Sequence, residues 1–242
     1  MFLKQRTEGI FLKYHELNWA DKIFIVLTKD FGKIEILAKG IRKISSKLRY
    51  SVDLFFLSEI EFIQGKNYKT LTDSFPIEKF EKIREEDSRY KIALMAAEII
   101  DYFLPLEEED LKIWNFLKSF FEKLNSVEIA FLPILYYHFL WRFLAILGYK
   151  PEIKKCLICG KKIGIAEKTY FSFQEGGIIC RNCSSKIKEE DRKFLSEIYP
   201  NTRKIINHFL TQKFKKIKIS KKDQENLNLI ARSYLEFLKQ QL

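Results

Sequence analysis

Histidine is scarce in this chain of 242 residues, and the short motifs of common catalytic sites are missing. The three histidines, at positions 15, 138 and 208, are widely separated along the sequence. There is no Walker loop for phosphates, no G-x-S-x-G turn for a nucleophilic serine and no H-E-x-x-H pair for a catalytic zinc. We therefore expect a protein that is not an enzyme and that has no catalytic residue.

Long hydrophobic runs and a secretory signal are also missing. The longest apolar run, residues 134–147, contains His138 and Arg142 and is shorter than the roughly 20 residues of a membrane span. The first residues, MFLKQR, are too polar for a signal peptide. Because 47% of the residues are hydrophobic, the chain has enough apolar side chains for a folded core. We expect a cytoplasmic, nucleoid-associated protein that does not interact with membranes.

Cysteine is equally rare, but its four residues form two C-x-x-C motifs. Cys156 and Cys159 are followed, after the twenty residues 160–179, by Cys180 and Cys183. A two-residue gap lets both thiolates of a motif bind one ion, and two motifs complete a tetrahedral shell of four sulfurs. The sequence therefore predicts one structural Zn²⁺ ion bound by these four cysteines. A filled shell leaves no position for a reacting molecule, so we expect no catalysis at this metal.

Three other interpretations of the cysteines are possible. Two disulfides would require an oxidising compartment, for which the N-terminus carries no signal. A redox site of the thioredoxin type would use one C-x-x-C motif between a strand and a helix, not two motifs. Unrelated free thiols would not be expected to form two equal pairs. The spacing favours zinc over all three.

Positive charge is concentrated at the two ends of the sequence. Residues 1–80 contain 14 basic and 10 acidic residues, residues 81–150 contain 9 and 12, and residues 151–242 contain 20 and 10. Such segregation indicates a polyanionic partner that contacts both ends of the chain. A surface that is lysine-rich only for solubility is the alternative.

The first segment, residues 1–79, has the pattern of a small β-barrel. Alternating or β-branched apolar runs predict five strands, and turns with glycine at positions 32 and 65 predict two hairpins. The longer connection follows the third strand, as in the five-stranded oligonucleotide-binding (OB) fold. The predicted strands cover residues 7–14, 22–28, 33–39, 53–64 and 68–74.

The connection after the third strand, residues 38–52, is basic and contains no acidic residue. Single-strand binders combine cations for the phosphates with aromatic rings on which bases stack. We therefore predict that this connection, with a lysine at the start of the third strand, binds DNA. A solvated loop without a ligand is the alternative. The candidate DNA-binding residues are Lys33, Lys39, Arg42, Lys43, Lys47, Arg49 and Tyr50.

From residue 80 onward the pattern is helical, which makes the chain an α+β protein. We predict an all-α domain over residues 80–242, with the zinc insert at 151–183. His138 and Arg142 lie one turn apart on an apolar helix and are interpreted as a hydrogen-bonded polar pair in the core. The basic run 213–222 is either a second phosphate surface or a solvated loop. The predicted helices cover residues 88–104, 107–124, 127–147, 189–198, 202–211 and 222–241.

Several segments, taken in order along the chain, resemble the RecO family of bacterial DNA repair and recombination mediators. They are EGIFLK at 8–13, DKI at 21–23, FGK at 31–33, LAKGIRK at 37–43, LGYKP at 147–151, CLICG at 156–160, GGIIC at 176–180 and RSYLE at 232–236. The resemblance covers nearly the whole chain. The basic extension that is typical of the family after the last helix is short here.

The resemblance implies an N-terminal OB barrel, a helical C-terminal domain and a zinc insert. It also implies binding of single- and double-stranded DNA and annealing of complementary strands. RecR and single-strand-binding protein (SSB) are the implied partners in loading RecA onto DNA. From the residues alone, a zinc-ribbon scaffold that binds proteins or RNA in transcription or translation is an alternative.

Overall fold

The computed structural model describes residues 3–164 and 166–241. It consists of two compact units, Met1–Leu132 and Pro133–Leu242. The predicted domains, 1–79 and 80–242, divide the chain at a different place, because three helices after the barrel pack within the first unit. That division stays a prediction.

Five strands in the first unit form a closed barrel in the order β1-β2-β3-β5-β4. β1 pairs with both β2 and β4, and β3 lies parallel to β5, which is the topology of an OB fold. The predicted five-stranded barrel is thus confirmed. The strands are β1 (Lys4–Glu16), β2 (Lys22–Thr28), β3 (Lys33–Ala38), β4 (Leu57–Gln64) and β5 (Lys69–Glu78).

The barrel interior is filled by the inward-facing apolar side chains of the strands. Phe11 and Phe24 contact edge to face, with ring centroids 5.3 Å apart, and Phe62 is fully buried beside them in the same cluster. The long strand β1 changes register between Phe11 and Lys13. Such a bulge bends a strand, which helps β1 to pair with a neighbour on each side and close the barrel.

Three helices complete the first unit: α1 (Glu81–Glu85), α2 (Asp87–Phe103) and α3 (Leu111–Ser126). Phe55, which precedes β4, stacks on Phe121 of α3 at 5.8 Å and contacts Tyr90 of α2 at 5.6 Å. These buried aromatic contacts attach the helices to the barrel.

The acidic run 107–110 was predicted to form the first turn of a helix, and that prediction was wrong. Helix α3 begins only at Leu111, and the Asp110 carboxylate caps it by accepting hydrogen bonds from the N–H groups of Lys112 and Ile113. The preceding loop is held against the β2–β3 turn, where the N–H of Glu107 donates to the Lys33 carbonyl at 2.8 Å. Gly32 adopts φ +62° there, and a Cβ would lie 2.1 Å from the Glu108 carbonyl oxygen.

The second unit is built around an apolar helix. Trp141 of this helix stacks on Tyr234 at 5.9 Å, and Phe171 contacts both rings. The helix begins at Leu132, and Pro133 lies in its first turn, where the missing N–H breaks no helical hydrogen bond. The elements are α4 (Leu132–Ile146), β6 (Thr169–Ser172), β7 (Gly177–Cys180), α5 (Arg181–Ser184), β8 (Leu195–Ile198), α6 (Pro200–Thr211) and α7 (Lys221–Gln241).

The helix predicted over residues 189–198 is not present. Residues 189–194 form a 3₁₀ turn, and residues 195–198 are strand β8, which pairs with β6. The reason lies in the tertiary structure, because β7 pairs with only one edge of β6. The backbone of β8 forms hydrogen bonds with the N–H and C=O groups of the other edge.

The segment Ile129–Ile146 is long and apolar enough to cross a membrane by length and composition. However, 56% of it is buried within the fold, where its apolar side chains pack in the protein core. His138 and Arg142 within it bond to the carbonyl oxygens of Gln212 and Leu210 at 3.3 and 2.6 Å. The predicted hydrogen-bonded polar pair is therefore confirmed.

Candidate metal centre and nucleic-acid interface

The four cysteines meet in the second unit, where all four sulfurs lie within 4.8 Å of one another. The first motif lies in the loop before β6, and the second spans the end of β7 and the start of α5. Gly160, with φ +69°, lets the chain turn sharply after the first motif. The predicted convergence of the cysteines is therefore confirmed.

The spacing of the sulfurs agrees with tetrahedral coordination and excludes a disulfide between Cys159 and Cys180. Their Sγ atoms are 3.9 Å apart, whereas a disulfide bond measures about 2.05 Å. A tetrahedral ion with metal–sulfur bonds of about 2.3 Å requires sulfurs separated by about 3.8 Å. All four cysteines are free thiols, so the cluster is compatible with a metal site.

The protein environment shifts the pKa values of two thiols of the cluster in opposite directions. Burial raises the pKa of the Cys156 thiol, but hydrogen bonds from the N–H groups of Cys159, Cys180 and Ile158 outweigh it and lower the pKa to about 6. A hydrogen bond with Cys180 raises the pKa of Cys183 to about 12. One thiolate is therefore favoured near neutral pH, and an ion that binds would displace the remaining thiol protons.

All the predicted DNA-binding residues after β3 lie on an exposed surface of the barrel. The side chains of Lys39, Lys43, Lys47 and Arg49 are exposed, and none of them is in an ion pair within the described part of the chain. The Tyr50 ring is 77% exposed. Unpaired cations beside an exposed ring are available for a ligand.

The connection itself is ordered against the β1–β2 turn. The N–H of Arg42 donates to the Ala20 carbonyl at 3.0 Å, and the N–H of Gly40 donates to the Asp21 carboxylate at 2.6 Å. The hydrogen bond from Gly40 is the main reason that the pKa of Asp21 is lowered. The Arg42 guanidinium also pairs with Glu16 at 3.0 Å, so one predicted cation is partly neutralised.

Tertiary folding adds three residues that we did not predict: Tyr14, Trp19 and Lys22. Trp19 in the β1–β2 turn is 75% exposed, and the Lys43 ammonium lies 5.5 Å from its ring centre. Lys22 lies 3.6 Å from the ring centre of Tyr14. An exposed tryptophan in the first turn was a usable signal, because OB folds bind oligonucleotides with that turn and with the β2–β3 face.

Tyr14 and Lys22, but not Trp19, line a cavity of about 310 Å³. The other lining residues are Phe24, Ile41, Arg42, Arg49, Val52 and Asp53. The single carboxylate, Asp53, is paired with Arg84 at 2.7 Å. We call this region the basic barrel surface: Tyr14, Trp19, Lys22, Lys39, Arg42, Lys43, Lys47, Arg49 and Tyr50.

Lys33 lies elsewhere. Its side chain is only 7% exposed and its ammonium bonds to the Asp101 carboxylate of α2 at 3.0 Å. Lys13 pairs with the same carboxylate at 3.0 Å. Burial raises the pKa of Asp101, but these hydrogen bonds outweigh it and lower the pKa. We therefore leave Lys33 out of the basic barrel surface and assign it to the attachment of α2.

The fold and the cluster define the class of protein: an OB barrel followed by a helical region that carries four clustered cysteines. Two family models match the chain: the N-terminal domain of recombination protein O over residues 1–80 and its C-terminal domain over residues 84–242. The chain therefore belongs to the RecO family of DNA repair proteins.

Similar curated proteins carry the name "DNA repair protein RecO". The chain is 30% identical to the protein of Dehalococcoides mccartyi over 96% of its own length and 90% of that relative. It is 29% identical to the protein of Caldanaerobacter subterraneus, over 89% and 83% of the two chains. A relative from Thermoanaerobacter is also 29% identical, over 96% and 91%.

Proposed function

We propose that this protein is a DNA-binding recombination mediator. It binds single- and double-stranded DNA, anneals complementary strands and, with RecR, assists the loading of RecA onto DNA coated by SSB. Membership of a DNA repair family supports this proposal. The observation that carries it is the basic barrel surface, where cations and exposed aromatic rings lie side by side.

The chemistry of that surface suits a single strand. Exposed lysines and arginines displace counterions from phosphates, which provides affinity without sequence preference. Exposed rings such as Trp19 and Tyr50 offer faces on which any base stacks. The Lys43 ammonium beside Trp19 places a phosphate contact and a base contact within the reach of one nucleotide.

We also propose that the four cysteines bind one Zn²⁺ ion in a structural role. Cys156, Cys159, Cys180 and Cys183 would supply all four ligands, which gives the ion a closed shell. A thiolate shell favours zinc over harder ions such as Mg²⁺ or Ca²⁺. The ion would cross-link the insert. It would have no open coordination position for a reacting molecule.

Replacing Arg42, Lys43 and Lys47 together by alanine is expected to weaken single-strand binding. The slope of log affinity against log salt is negative, and its magnitude should decrease by about two. Each phosphate contact to single-stranded DNA contributes about 0.7 to this magnitude. The melting temperature should stay unchanged because these side chains are exposed. Fluorescence anisotropy with a labelled oligothymidine, measured between about 50 and 200 mM salt, provides both quantities.

The matched control replaces three exposed lysines of the helices in the same unit, Lys82, Lys91 and Lys112, by alanine. It changes the net charge equally but leaves the basic barrel surface intact. Equal losses in both variants would mean that only net charge matters. Unchanged binding by the first variant would place the DNA contact outside the basic barrel surface.

Annealing provides the test of the mediator function. We expect the protein to accelerate pairing of two complementary oligonucleotides without ATP, because two strands held on one body have a high effective concentration. Fluorescence energy transfer between labelled strands measures the rate. If the protein binds DNA yet pairing is no faster than without protein at any protein-to-DNA ratio, the mediator function is wrong.

A further inference from the structure

A second basic cavity lies in the other compact unit, beside the first cysteine motif. Its volume is about 440 Å³, and its apolar lining consists of Ile153 and Ile163. Among the residues that the structure describes, no carboxylate lines it. We call it the knuckle pocket, and its polar lining consists of Lys154, Lys155, Lys162, Arg203, Lys204 and Asn207.

The metal-binding motif brings three of these lysines together. Lys155 forms an antiparallel bridge with Lys162, and the N–H of Ile163 donates to the Lys154 carbonyl at 3.0 Å. The chain segments 153–155 and 161–163 therefore run side by side, and both carry lysines of the pocket. The fold that gathers the sulfurs also concentrates positive charge.

Helix α6 supplies the opposite wall. Arg203, Lys204 and Asn207 lie within its first two turns, and Asn207 is one turn beyond Arg203. Arg203 is only 6% exposed and is fixed by a hydrogen bond from its guanidinium to the Gly164 carbonyl. Side chains held in this way need little further ordering when an anion binds.

Glu152 and Glu167, two carboxylates on the same chain segments as the pocket lysines, are already engaged by other groups. Glu152 accepts hydrogen bonds from the N–H groups of Lys154 and Lys155 at 2.6 and 3.3 Å. Glu167 accepts from the Gly164 N–H at 3.1 Å and pairs with Lys161. Within the described ranges, the ammonium groups of the four pocket lysines have no carboxylate at ion-pair distance. Several cations in one concave site create a positive potential that attracts an anion.

We propose that the knuckle pocket binds backbone phosphates of DNA as a second contact, separate from the basic barrel surface. The inference rests on the DNA-binding function proposed above. The described lining residues include no aromatic side chain, so the pocket contacts the phosphates and not the bases. A chain with two phosphate-binding surfaces holds two strands, or two parts of one strand, at the same time.

The test uses the full-length chain with Lys154, Lys155 and Lys204 replaced by glutamine. Arg203 stays unchanged because it is buried. With labelled oligothymidine, the magnitude of the slope of log affinity against log salt should decrease by about two. The affinity at low salt should decrease by at least about tenfold. Arginine at the same three positions keeps the charge and should restore binding. The metal content and the melting temperature should equal those of the unmodified chain.

The matched control replaces Lys150, Lys188 and Lys193, exposed lysines of the same unit that lie outside both the pocket and the basic run, by glutamine. Full binding by this control and weak binding by the pocket variant would support the pocket. Equal losses in both would overturn it. A pocket variant with the affinity and salt slope of the unmodified chain would also overturn it, while the function proposed above would stand. If the unmodified chain shows no salt-dependent DNA binding, the proposed function itself is wrong.

Discussion

The Cys180→Ser variant is expected to purify without zinc and to lose the folded cysteine insert, whereas the unmodified chain should hold about one zinc ion per molecule. Cys180 lies at the centre of the cluster: its sulfur is 3.9 Å from that of Cys159, and its N–H donates to the Cys156 sulfur at 3.4 Å. The loss of unfolding free energy should be several kcal/mol, since zinc contributes about 10–16 kcal/mol in small zinc-binding peptides.

Metal analysis of protein prepared without chelator measures the first effect, and thermal unfolding measures the second. Hydrogen exchange should show lost protection in β6 and β7, while the barrel strands, in the other compact unit, stay protected. Ser185→Ala, an exposed neighbour on the same turn, is the control and should retain zinc. Unmodified protein without metal and with four titratable thiols would contradict the zinc assignment.

The Asp101→Asn variant is expected to lose about 3 kcal/mol of unfolding free energy, because it leaves the buried Lys33 ammonium without a counter-charge. The Lys33 side chain is 7% exposed and that of Asp101 is 22% exposed. Denaturant unfolding measures the loss. Glu98→Gln, one turn away on α2, is the control: Glu98 is 64% exposed, and its loss should have little effect.

The pH dependence of this difference follows from the pKa of Asp101. Hydrogen bonds from Lys13 and Lys33 keep it below its ordinary value of 3.8 in the folded protein. The carboxylate therefore stabilises the fold above that value, and the stabilisation is lost as the pH falls through the lower folded pKa. The difference in unfolding free energy between the unmodified chain and the Asp101→Asn variant should stay constant near neutral pH and shrink below pH 3.8. A difference independent of pH would contradict this assignment.

The barrel and the cysteine cluster were predictable because their signals are local. Strand periodicity and turn glycines such as Gly32 and Gly65 mark the strands without knowledge of their neighbours. The break after the third strand then selects the OB topology from a small set of barrels. Cysteine spacing similarly restricts where the sulfurs can lie, because a two-residue gap leaves the chain few ways to turn.

The DNA-binding candidates were only partly predictable, because exposure depends on what packs against each side chain. Lys33 and Lys43 look alike in the sequence, yet α2 buries the first and no element covers the second. Tyr14, Trp19 and Lys22 lie more than fifteen residues from the connection that we predicted to bind DNA, and the pairing of β2 with β1 and with β3 brings them beside it. The composition of the connection by itself does not show which residues lie beside it.

The amino-acid sequence was sufficient to predict the family, the strand pattern of the barrel and the convergence of the four cysteines. Each of these depends on residue type and on spacing along a short stretch of chain. Tertiary structure alone decided that residues 195–198 form a strand, because an unpaired edge of β6 required backbone partners. It also decided which lysines stay exposed and which, like Lys33, are buried, since the packing of distant elements determines the solvent exposure of every charge.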